Sequence, residues 1–244
     1  MRRQGQPLDY LKFSSLISKA LDGRNTFDGE RFIWHAADGC ECPVDRVFYS
    51  APPRLYIDEW PYQYMGHSVR YLTIEVPCRK CGSCLAARAK LWRSRAYYEV
   101  RHAQDAGVRT WWCTFTLAPE HRVRAHIRAS RRYGNEDFSS LTKIIYSDFQ
   151  LFLKRLRKRC KTRLRYVCVF EAHKDGFPHI HSLIHEVPGF PSMGKRDVQG
   201  EWPYGHSCVK LSQPEIVTYV TKYLAKDMRA RVRASIRYGH GLAP

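Results

Sequence analysis

The alternation of apolar and polar positions already divides the chain into elements. Arg70 to Val76 alternates as a strand does, and Thr110 to Leu117 is rich in aromatic and β-branched residues and predicts a buried strand ended by Pro119. Leu85, Ala89, Trp92, Ala96, Val100 and Ala103 recur at helical spacing, with Gly107 as the stop. Ile145, Phe149, Phe152, Leu153 and Leu156 mark the apolar stripe of an amphipathic helix over 142–160. Arg165–Glu171 and Pro178–His185 read as two strands. The short Lys174-Asp175-Gly176 turn between them forces antiparallel pairing, since a parallel crossover needs about a dozen residues or more. Ser212-Gln213-Pro214-Glu215 is a capping box with proline in the first turn, opening a helix that runs to about Asp227.

Between and beyond these elements the pattern fades. Residues 1–69 carry Gly and Pro punctuation and predict an irregular N-terminal region with at most a short helix near Leu8 to Leu21. Residues 118–140 read as a long Arg-rich connection. Residues 229–244 read as an exposed basic tail. The expected organisation is thus a Cys-containing N-terminal extension (1–69), one α+β domain with a central antiparallel sheet flanked by helices (70–228), and the tail.

Charge narrows the function. Lys and Arg number 41 against 23 Asp and Glu, a net charge of +18. Such an excess attracts polyanions and releases their counterions on binding, which favours a nucleic-acid partner. Arg88 and Arg93 on the first long helix, and Arg155 and Lys158 on the second, are the expected DNA-contacting cations, against the default of a solvated basic face. The sequence has no apolar run of membrane-spanning length and no convincing export signal, so no membrane association and a cytoplasmic location are expected.

Candidate chemistry gathers around Phe177-Pro178-His179-Ile180-His181. Side chains at i and i+2 of a strand share a face, so His179 and His181 present paired imidazoles while Ile180 turns to the core. Glu171, on the neighbouring strand, is within reach as a third ligand; His173 could replace or assist it. His185 is too far along for the same ion. Downstream, Tyr219 and Tyr223 are spaced i, i+4, as are Lys222 and Lys226. Cys78, Cys81 and Cys84 are candidate structural zinc ligands with Cys40 or Cys42 as partners, with buried thiols or redox activity as the alternatives.

Taken in order, the Thr-Phe-Thr-Leu strand, the Glu followed by His-Ile-His, and the segment Tyr219-Val220-Thr221-Lys222-Tyr223-Leu224-Ala225-Lys226 resemble the three motifs of HUH rolling-circle replication initiators. The paired-tyrosine form most resembles the initiators of small single-stranded DNA phages of the Microviridae. The segment Pro77-Cys78-Arg79-Lys80-Cys81-Gly82-Ser83-Cys84 is similar to the cysteine segment of gokushovirus-like members, though their Cys-Gly-Lys-Cys form and immediate Arg are replaced here. The resemblance implies an HUH endonuclease fold, with His179, His181 and Glu171 as ligands of Mg²⁺ or Mn²⁺. It implies Tyr219 and Tyr223 as nucleophiles, with Lys222 and Lys226 stabilising the phosphate or lowering a tyrosine's pKa. The implied partners are a viral single-stranded origin and the polymerase and helicase of a bacterial host, in whose cytoplasm the protein would act. The readings in competition are an HUH transposase or plasmid initiator, a non-catalytic single-strand-binding module and a zinc-dependent regulator.

Overall fold

The computed structural model describes residues 6–28, 31–50, 62–212 and 231–240. The chain forms two compact units, Met1–Leu85 and Ala86–Pro244.

In the first unit, helix α1 (Tyr10–Leu21) begins at Asp9, whose carboxylate accepts from the Lys12 backbone N–H. Phe13, Ile17 and Ala20 fall on one face and are buried with Phe32, Val69 and Leu72. Strands β1 (Gln6–Leu8), β2 (Asn25–Phe27), β3 (Arg31–His35), β4 (Val44–Ser50) and β7 (Tyr71–Val76) make a mixed sheet in the order β1-β4-β7-β3-β2. β5 (Tyr62–Tyr64) and β6 (His67–Val69) form a hairpin whose turn residues Met65 and Gly66 both have positive φ. The region expected to be irregular is therefore built of short strands besides the anticipated helix. Its strands alternate poorly because they are short and mostly half exposed. That leaves little periodicity to read.

The second unit is organised on one fully antiparallel five-stranded sheet in the order β11-β8-β10-β9-β12. Its strands are β8 (Thr110–Phe115), β9 (Leu164–Ala172), β10 (Pro178–Glu186), β11 (Ser207–Leu211) and β12 (Arg231–Ala234). Around it lie α2 (Gly82–Asp105), α3 (Pro119–Tyr133), α4 (Phe138–Cys160) and the short α5 (Lys195–Gly200). The anticipated α+β architecture with an antiparallel sheet flanked by helices is what the chain adopts. Strand alternation assigns the two faces. Cys113, Phe115, Cys168, Phe170, Ile180 and Ile184 pack with Phe149, Phe152 and Leu156 of α4 in the main core. Trp112, Val167, Val169 and Leu183 face the other way, against Ala89, Ala96 and Val100 of α2. Each large side chain buried in this way contributes roughly 1.5–3 kcal/mol.

Two expectations are corrected in this unit. Residues 119–133 are helix α3 rather than an extended connection. Only Ala125 and Ala129 are buried on it, so two small residues give too faint a stripe among the arginines. Its punctuation is regular: Pro119 stands in the first turn and Gly134 closes the end with φ 71°. Likewise the tail is not merely an exposed extension. β12 pairs with β9, and Val232 and Tyr238 are buried. The helix expected from Gln213 to Asp227 lies outside the described residues.

Candidate metal centre

The β9–β10 hairpin sets the site. Asp175 Oδ1 accepts from the Phe177 N–H, Arg122 holds the other oxygen at 2.7 Å, and Gly176 takes φ 81°, which closes the turn. The resulting register puts Glu171 directly opposite His179, and His181 directly opposite Thr114 of β8. Parity then turns Glu171, His179 and His181 onto the α2 face while Ile180 enters the main core.

The donor atoms converge. His179 Nε2 lies 2.8 Å from His181 Nε2, and Glu171 Oε2 lies 3.1 Å from the second and 3.4 Å from the first. An octahedral ion with bonds of about 2.1 Å has ligand edges of about 3.0 Å, so the three atoms outline one face of such a polyhedron. Two imidazoles and a carboxylate on one face leave the opposite positions open, as a catalytic site requires. His181 Nδ1 is engaged by the Thr114 hydroxyl at 3.1 Å, which turns Nε2 toward the trio. Trp112 stacks on the same ring, with centroids 5.3 Å apart and planes 1° from parallel. Among the described residues nothing hydrogen-bonds the buried Nδ1 of His179.

Electrostatics keeps both imidazoles neutral, the form that ligates a metal. Burial, with help from His173 and Arg122, lowers the His179 pKa to about 4. Burial, then His179 and His173, lowers that of His181 to about 3. His173 lies beside His179, ring centroids 4.2 Å apart, but stands outside the converging trio. His185 is remote from it, buried between the Thr110 hydroxyl at 2.9 Å and the Tyr238 hydroxyl at 2.8 Å.

A second donor group lies in the first unit. Cys40, Cys78, Cys81 and Cys84 bring their sulfur atoms within 4.8 Å of one another. All nine cysteines are thiols. Of the two possible partners for the downstream cysteines, Cys40 joins the group and the exposed Cys42 stays at its edge.

Among the expected cations, Arg93 and Lys158 are exposed and Arg88 is half-buried. Arg155 is engaged within the fold: it donates to the Glu201 carbonyl and lies over the Tyr204 ring. Tyr219, Lys222, Tyr223 and Lys226 lie outside the described residues. Thr114 and Trp112, which orient His181, were not singled out in the sequence. The parity of the strand containing them was the available signal, because Trp112 and Thr114 share the face of a neighbour carrying imidazoles.

Among the described residues no helix is long and apolar enough to cross a membrane. No curated protein and no solved structure matches the chain. Residues 110–228, just under half of the chain, match a family model described as Replication-associated protein, of the ORF2 type, so the part of the molecule that holds the Glu171–His179–His181 trio is similar to replication-associated proteins.

Proposed function

We propose that this protein is a rolling-circle replication initiator that cuts and rejoins single-stranded DNA by tyrosine transesterification, most like the two-tyrosine HUH initiators of Microviridae. The observation that carries the reading is the convergence of Glu171, His179 and His181 inside the segment similar to replication-associated proteins. Glu171, His179 and His181 would hold Mg²⁺ or Mn²⁺. When bound, the ion supplies Lewis acidity to a phosphate oxygen and orients the phosphodiester.

The chain's own residues do the rest. The phenolic oxygen of Tyr219 or Tyr223 attacks phosphorus, a 5′ phosphotyrosine bond forms, and the bond to the 3′ oxygen breaks. The phenol gives up its proton and the departing 3′ oxygen gains one, leaving a 3′ hydroxyl for a host polymerase, with a host helicase opening the duplex. Lys222 or Lys226 would balance charge on the phosphate or favour the phenolate. Chain connectivity supports this assignment. β12 re-enters the sheet with Arg231 opposite Phe170, next to Glu171, so the stretch bearing both tyrosines returns beside the trio.

The test is incubation with single-stranded DNA containing the origin of the protein's own replicon and Mn²⁺, followed by denaturing electrophoresis. A covalent protein–DNA adduct is expected, lost in the Tyr219→Phe/Tyr223→Phe double variant. If a folded, DNA-binding protein gives no adduct with any such strand, or the double variant still forms one, the mechanism is wrong.

A further inference from the structure

We infer that Cys40, Cys78, Cys81 and Cys84 form a closed tetrahedral zinc site in the first unit, independent of the proposed catalytic ion, with Cys42 left outside as a reactive thiol.

Topology explains the meeting of cysteines that are far apart in sequence. β3 and β7 pair in parallel, so their C-terminal ends lie side by side, and His35 and Glu75 at those ends are joined at 2.7 Å. The chain leaving β3 reaches Cys40 and the chain leaving β7 reaches Cys78. Between Cys40 and Cys42, Glu41 is pinned: its Oε1 accepts from the Ser83 hydroxyl at 2.7 Å and the Ser83 N–H at 3.2 Å. That grip at the start of α2 brings Cys40 into the sulfur group and leaves Cys42 at the edge.

The distances decide the ion. A tetrahedron of sulfurs about 2.3 Å from zinc has edges of about 3.8 Å. The Cys40–Cys81, Cys78–Cys84 and Cys84–Cys40 pairs are 3.8, 3.9 and 3.5 Å apart. Disulfide sulfurs would be about 2.05 Å apart. Backbone N–H groups also point at the sulfurs, as thiolate ligands require. Those of Lys80 and Cys81 donate to Cys78 Sγ at 3.3 Å each, and that of Cys78 donates to Cys40 Sγ at 3.4 Å. The tight turn is made by Arg79 at φ 63°. Four thiolates fill all positions of a tetrahedral ion, so this site has a structural role and no open position for a substrate.

The test is metal analysis of the full chain carrying Glu171→Ala, purified without chelator, so that the outcome does not depend on the cleavage reading. One zinc per chain is expected. Cys40→Ser should weaken zinc binding by at least the roughly 10–100-fold typical of losing even an outer partner, while Cys42→Ser retains the ion. Cobalt(II) in its place should show thiolate charge-transfer and tetrahedral absorption. Should Cys40→Ser not fold, alkylation of the Glu171→Ala chain decides: a chelator should make four more thiols reactive, with Cys42 already reactive before it is added. Absence of zinc, its equal loss in both serine variants, or no chelator-dependent thiols would overturn the assignment.

Discussion

At the scale of single residues, the trio works because neighbours on one sheet face constrain it. Thr114→Val removes the hydroxyl that orients His181 and should weaken Mn²⁺ binding about 10–100-fold, as losing such outer partners does, with little change in the fold. Titration calorimetry with Mn²⁺ checks this, and His181→Ala should abolish binding. His185 makes a different prediction. Burial lowers its pKa to about 4, against about 6.5 in an unfolded chain. Between those values the unfolded chain binds the proton and the folded one does not, so stability is full above about pH 6.5 and falls as the pH drops toward 4. The loss is on the order of 3 kcal/mol from this residue. Chemical denaturation from pH 7 to 4.5 should show a shallower decline for His185→Gln than for the unaltered chain. His179, His181 and Glu171 were legible in the sequence because strand parity alone aligns them. The choice between Cys40 and Cys42 was not, because it depends on Glu41 reaching Ser83 across 42 positions of sequence.

At the scale of elements, legibility followed the size of the buried side chains. The large apolar stripe of α4 announces itself, whereas α3 hides two alanines beneath arginines. α3 is held to α4 by the Arg128–Asp148 pair at 2.8 Å as well as by those alanines. Ala129 is fully buried, so Ala129→Leu overfills the contact and should cost about 1–3 kcal/mol in denaturant unfolding, while changes at exposed Val123 should be nearly neutral. The β-ladder of the tail was hidden for another reason. β12 is four residues long and its partner lies some 60 positions upstream, and no local pattern reports so distant a pairing.

For the whole molecule, the net charge of +18 becomes a statement about salt. Each phosphate contact to a single strand adds about −0.7 to the slope of log K against log salt. Arg93→Ala should flatten that slope measurably in fluorescence-anisotropy titrations. Arg155→Ala should leave it nearly unchanged and lower stability instead, because Arg155 is already engaged by Glu201 and Tyr204. The sheet's edges carry a mechanical consequence. β11 and β12 close opposite sides of one sheet, and the segment with Tyr219 and Tyr223 is strung between them. A DNA end covalently attached to that segment, and hauled on by a polymerase, would load two edge ladders at once instead of unravelling a terminus. The sheet would then be the cleat to which the moving strand is tied.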